Sequence, residues 1–125
     1  MVAKHPIYPQ RIRKVPRQFS WIDQRLVREH YIDRCCHRSA ALYLFLVTVA
    51  DAQGLSYYGD RSIGRRLAMD AENLQKARQE LVRLELIAWQ RPLYQVLAIG
   101  DVPRQRPGGR LQSLAQVLQE IGGAP

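Results

Sequence analysis

The chain has 125 residues, 46% of them hydrophobic and 24% charged, which suits one domain with tails and a core of its own. Its formal net charge of +8 has the sign that attracts polyanions, whether nucleic acid, an acidic protein or an anionic membrane surface. No apolar run approaches the roughly 20 residues of a membrane span, and the polar, proline-punctuated N-terminus lacks the apolar core of a signal peptide, so a cytoplasmic location is expected.

Residues 1–18 combine Lys4, Arg11, Arg13, Lys14 and Arg17 with Pro6, Pro9 and Pro16, and contain neither an acid nor an apolar period. They read as an extended basic arm, either a tether on a DNA backbone or a solubilising tail. Residues 1–20 carry +5, 21–60 −1, 61–91 +3 and the remainder +1, so the excess sits in the arm and in residues 61–91.

The domain proper is expected over 19–100. Ser20-Trp21-Ile22-Asp23 fits a capping signature, a hydroxyl followed three residues on by a carboxylate. The helix it opens has Ile22, Leu26 and Val27 on one side, continued by Tyr31 and Ile32, with Phe19 and Trp21 as packing anchors. Next come Cys35 and Cys36, which as neighbours form no disulfide without strain. His30 and His37 lie close by, but adjacent side chains seldom reach one tetrahedral ion, so free thiols and no metal are expected.

Ser39 is a second candidate cap, for a helix over 40–50 that is apolar almost all round and therefore buried on most faces, with Gly54 suited to end it. Leu55-Ser56-Tyr57-Tyr58 is β-prone, with one tyrosine expected to face the core and the other a candidate phosphate contact. Arg61 to Ala68 then forms a short helix with Ile63 and Leu67 one turn apart, and Gly64 allows a close helix crossing. Ala68-Met69-Asp70 turns the corner. Asp70 is a good N-cap for the segment ending at Leu84, in which Leu74, Ala77, Leu81 and Leu84 recur at helical spacing. The opposite arc collects Glu72, Gln75, Lys76, Gln79 and Arg83, with Asn73 at its edge. Glutamine and asparagine amides are able to pair bidentately with adenine in a major groove, although a solvated surface helix has the same composition.

Two strands follow, Leu86 to Gln90 and Tyr94 to Ile99, joined across Arg91-Pro92-Leu93, where proline fits a turn and not a central strand. Residues 101–109 read as a linker. Beyond it Leu111, Leu114, Leu118 and Ile121 recur at steps of three and four over 110–125, an amphipathic helix too short to be stable alone. It docks on its own domain, pairs with a second copy as a homodimer, or recruits another protein. No glycine-rich phosphate loop, His-Glu-x-x-His or nucleophile elbow is present, and Asp23, Glu29, Asp33, Asp51 and Asp60 are scattered among arginines. Neither enzyme activity nor a cofactor is expected.

The order Ile63-Gly64, Leu67-Ala68-Met69-Asp70, Leu74, Ala77-Arg78, Leu81, Leu84-Glu85-Leu86-Ile87 resembles the winged helix-turn-helix families of bacteria and their mobile elements. These include transcription regulators and the winged domains of replication initiators and primosome proteins. The resemblance implies a mainly α fold with a small antiparallel β-sheet, a winged helix-turn-helix flanked by an extra N-terminal helix and a C-terminal helix. It also implies double-stranded DNA as partner, with the helix from Asp70 in the major groove. Asn73, Gln75, Lys76 and Gln79 would then lie nearest base edges. Arg61, Arg65, Arg66, Arg83 and Arg91 would take phosphates, helped by Arg11, Arg13, Lys14 and Arg17 of the arm. Ala68 and Glu85 depart from the pattern, standing where glycine is frequent, so wider turns or a longer second helix are expected. Winged domains also serve as assembly modules without sequence readout, and a short hairpin together with the C-terminal stripe suits that alternative.

Overall fold

Two long helices, α2 (His37–Val49) and α4 (Ala71–Arg83), pack on each other at the centre of the computed structural model, which describes residues 3–100. The expected 101–109 linker and the stripe Leu111, Leu114, Leu118 and Ile121 lie outside the described residues. Preceding the pair is a one-turn helix, α1 (Arg25–Arg28), and between them run a strand, β1 (Leu55–Tyr57), and helix α3 (Asp60–Leu67). A hairpin of β2 (Ile87–Gln90) and β3 (Leu93–Val96) completes an antiparallel sheet in the order β1-β3-β2. Among the described residues the fold is therefore mainly α, with four α-helices and one small antiparallel sheet.

The core follows the predicted stripe except at its end, where Leu84 is the C-cap of α4 and only half-buried. Leu74, Ala77 and Leu81 of α4 meet Leu42 and Leu46 of α2, Ile63 of α3 and Ile87 of β2, all nearly or fully buried. Each large aliphatic side chain taken from water contributes roughly 1.5–3 kcal/mol. Asp70 caps α4 as expected, its Oδ1 accepting from the Asn73 backbone N–H at 2.8 Å. Tyr94 of β3 is fully buried and pairs with Trp89 across the hairpin. Tyr58 is half-buried with its ring edge on Phe45, whereas Tyr57 is exposed.

The N-terminal extension departs most from expectation. The Ser20 hydroxyl does not cap a helix; it donates to the Thr48 carbonyl at 3.1 Å. Asp23 instead accepts from the Arg25 N–H at 2.9 Å and opens only the four residues of α1. A left-handed His30, at φ 63°, then breaks the run, and Ile32–Arg34 form a separate 3-10 turn. The break leaves Leu26 and Tyr31 buried but Ile22, Val27 and Ile32 exposed, and Phe19 and Trp21 are not packing anchors at 63% and 73% exposure.

Cap and turn residues also shift. The cap of α2 is Cys36, whose Sγ accepts from the Ser39 N–H at 3.4 Å. Ser39 is one turn inside and fully buried. The helix is less completely buried than predicted, since Leu44 and Thr48 are exposed, and it stops at Val49, five residues before Gly54. Gly54 serves a different end: at φ 85° it lets the Val96 carbonyl pass where a Cβ would sit at 2.7 Å from it. The hairpin turn is Arg91-Pro92 alone; Leu93 belongs to β3, which ends at Val96 short of the predicted Ile99.

The two positions lacking glycine do not widen their turns. Ala68 takes φ 54° and Glu85 φ 61°, the left-handed conformation itself. After α4 this closes a Schellman pattern, with the Leu86 N–H on the Leu81 carbonyl at 3.0 Å and the Glu85 N–H on the Val82 carbonyl at 3.0 Å. After α3 the Met69 N–H returns to the Gly64 carbonyl at 3.0 Å. Gly64 thus accommodates its own turn, because a Cβ there would meet the Met69 carbonyl oxygen at 2.8 Å, and no helix crossing requires it. A Cβ in the left-handed region costs roughly 1–2 kcal/mol, partly offset by the entropy that glycine loses on folding. Ala68→Gly is accordingly expected to stabilise the domain by about 0.5–1 kcal/mol, read as a thermal midpoint raised by about 2–8 °C.

Candidate nucleic-acid interface

One face of α4 is free of the core, and its residues divide into a ridge and two flanks. Gln75, Lys76, Gln79 and Arg83 are exposed, and Asn73 is half-buried. On the α2 side lies a cleft of about 250 Å³ lined by Asn73, Lys76, Glu80 and Arg83 together with Cys36 and Arg38 of the α2 terminus. Facing the hairpin is a wider cleft of about 600 Å³, lined by Gln75, Gln79 and Arg83, by Asp60 and Arg78, and by Trp89 and Arg91. The four predicted base-reading residues therefore share one face but not one flank. Asn73 and Lys76 border α2, Gln75 the hairpin, and Gln79 both.

The surrounding cations differ in how they are held. Lys76 Nζ is 3.3 Å from Glu72 Oε2 one turn back, and Arg83 is 3.5 Å from Glu80 Oε2. The cations of both pairs are exposed, and surface pairs of this kind are worth up to about 1 kcal/mol, so both can yield to a stronger anion. Arg61, Arg65 and Arg66 are exposed on α3, and Arg91 is exposed at the hairpin tip with its guanidinium 5.7 Å from the Trp89 ring centre. None of these four has an ion-pair partner among the described residues. Arg11, Arg13, Lys14 and Arg17 are likewise exposed along the arm, whose regular structure is a single 3-10 turn at Pro9–Arg11. Arg38, in the first turn of α2, is a further exposed cation beside Asn73 and Lys76. Sequence spacing gave no reason to choose it.

Arg78 is the principal residue that the sequence reading missed. It faces the hairpin, is 4% exposed, and sends Nη1 to Asp60 Oδ1 at 2.8 Å and to the Tyr94 hydroxyl oxygen at 2.9 Å. Its guanidinium lies 3.8 Å from the centre of the Trp89 ring. Burial works against its charge, but the hydrogen bonds to Asp60 and Tyr94 outweigh it and hold Arg78 more firmly protonated than usual. One cation thereby fixes α4 against the start of α3 and against both hairpin strands. The predicted reading face and the hairpin are set at a defined angle by this contact.

Glu80 makes the corresponding tie to α2. Its Oε1 accepts from the Ser39 hydroxyl at 2.5 Å and from the Cys36 N–H at 2.9 Å. The Ser39 bond, then the Cys36 N–H, hold this carboxyl below its ordinary value of 4.5. A carboxyl whose folded value is lowered stabilises the fold above its unfolded value, and that stability is lost as pH falls through the folded one. The domain is expected to weaken on acidification from pH 4.5 downward, with Glu80→Gln giving a flatter profile in urea titrations over that range. Asp23, lowered to about 2 by its bonds to Arg25, adds a second loss between 3.8 and about 2.

Among the described residues no group of three or more His, Cys, Asp or Glu side chains is arranged to hold a metal ion, and no helix is long and apolar enough to cross a membrane. Comparison of the chain with protein families, with curated proteins and with solved structures gives no match.

Proposed function

We propose that this chain is a winged helix-turn-helix protein that binds double-stranded DNA with sequence selectivity, in a transcriptional or replication and mobile-element role. In this reading α3 and α4 are the helix-turn-helix, α4 is the recognition helix, and the β2–β3 hairpin is the wing. The observation that carries it is the make-up of the exposed α4 face: Gln75 and Gln79, one turn apart and exposed, share a cleft with Arg91 of the hairpin tip, Arg61, Arg65 and Arg66 are exposed on the preceding α3, and none of these four arginines has a carboxylate partner among the described residues. Amides offer the paired donor and acceptor that adenine requires, while unpaired guanidinium groups suit phosphates on either side. Lys76 and Asn73 would contact the half of the groove nearer α2, with Arg38 and Arg83 on the adjoining phosphates. The exposed arm would add Arg11, Arg13, Lys14 and Arg17 along the backbone.

Phosphate and base contacts have separable signatures. Arg65→Ala is expected to weaken every duplex alike and to make the slope of log K against log salt shallower by about 0.9. Fluorescence anisotropy over a salt series measures this directly; an unchanged slope would remove Arg65 from the interface.

A further inference from the structure

The N-terminal extension leaves an apolar surface that nothing among the described residues covers. Phe19 is 63% exposed, Trp21 73%, Ile22 51% and Val27 62%. Between the two aromatics, Ser20 is fastened to the Thr48 carbonyl, one turn along α2 from Leu44, which is itself 55% exposed. The Ser20 bond holds the extension against the C-terminal turn of α2, the turn that follows the exposed Leu44. Two exposed aromatic side chains of roughly 150–250 Å² each, together with three exposed aliphatic ones, are more apolar exposure than one short segment of a monomer's surface ordinarily carries. The basic arm does not cover it, since Ile7, Tyr8, Ile12 and Val15 are exposed as well.

The chain leaves the described structure beside this patch. Gly100, at φ 99°, lies so close to the Arg25 guanidinium of α1 that a Cβ at this position would overlap it. Arg25 is paired in turn with Asp23, next to Ile22. Eleven residues on stands Leu111, the first of four apolar positions spaced by three, four and three. That length reaches up to about 36 Å when extended, more than twice the roughly 13 Å radius of gyration of a 100-residue domain. The stripe needs an apolar partner, and exposed apolar side chains of the same chain lie within that reach.

We propose that Leu111, Leu114, Leu118 and Ile121 dock within the same chain on the surface formed by Phe19, Trp21, Ile22, Val27 and Leu44. The extension and the C-terminal segment then form one apolar layer on the outside of α2, away from the α4 face. Docking is independent of DNA, so it stands or falls separately from the proposed function.

Trp21 is its reporter. In the full chain its fluorescence is expected to resist acrylamide, and Leu114→Glu/Leu118→Glu should roughly double the quenching and move the emission to the red. The same pair of substitutions in a Trp21→Phe chain should change neither, because Trp89 lies at the hairpin. Light scattering should give a monomer, and a retained cooperative thermal transition shows that the variant still folds. Trp21 quenched as freely in the wild type as in the variant would overturn the proposal. So would a dimer whose Trp21 protection disappears on dilution, since the occupant would then be a second copy.

Discussion

Arg78→Ala is expected to be the most damaging single substitution on the exposed side of the core, lowering stability by about 3 kcal/mol and the thermal midpoint by about 10–20 °C. Three contacts disappear together: the bond to Asp60 at 2.8 Å, the bond to the Tyr94 hydroxyl at 2.9 Å and the face contact with Trp89 at 3.8 Å. Hydrogen bonds to a charged group are worth about 1.5–3 kcal/mol, and a desolvated cation–π contact up to about 2. Asp60→Ala should cost a comparable amount for the converse reason, because it leaves a 4% exposed guanidinium without its carboxylate. Arg78→Met, which refills the volume without a charge, should be milder. Chemical denaturation of the two alanine variants and their double mutant measures the coupling; strictly additive losses would mean that the Arg78–Asp60 pair contributes nothing of its own.

Gln75→Ala/Gln79→Ala is expected to remove sequence preference while leaving non-specific DNA affinity almost intact. Each bidentate amide contact supplies about 1–3 kcal/mol of discrimination, so two together separate preferred from random duplex by about 30-fold or more. Both residues are exposed on one α4 face and make no side-chain hydrogen bond or ion pair among the described residues, so stability should not change. Competition between a selected site and random duplex reads the ratio. Preservation of that ratio in the double variant would shift base reading to Asn73 and Lys76 on the α2 side.

How far the sequence specified this arrangement depends on the kind of signal. The α4 stripe and its Asp70 cap were legible because periodicity and a cap act within one helix, and Leu74, Ala77 and Leu81 are buried as their spacing requires. The hairpin was placed by Pro92, although β3 proved shorter than its apolar run. Arg78 was not legible: an arginine between Ala77 and Gln79 reads as a surface residue until Asp60, Tyr94 and Trp89 are brought to it from three other elements. Ser39 shows the same limit, since a serine before an apolar run looks like a cap until Glu80, 41 positions on, proves to be its partner. Ala68 and Glu85 failed for a different reason. Local preference argued against left-handed turns there, and the packing of α3, α4 and β2 overrode a cost of roughly 1–2 kcal/mol at each.

Sequence-selective recognition of duplex DNA is proposed to run through the exposed face of α4. Its most direct test titrates the full chain against a pool of random duplexes by fluorescence anisotropy at two salt concentrations, then sequences the bound fraction. Affinity that falls steeply with salt, together with enrichment of a motif rich in A·T pairs that Gln75→Ala/Gln79→Ala abolishes, is the predicted result. Absence of binding at low salt, or salt-dependent binding with no enriched motif, would contradict it and leave the domain as an assembly module.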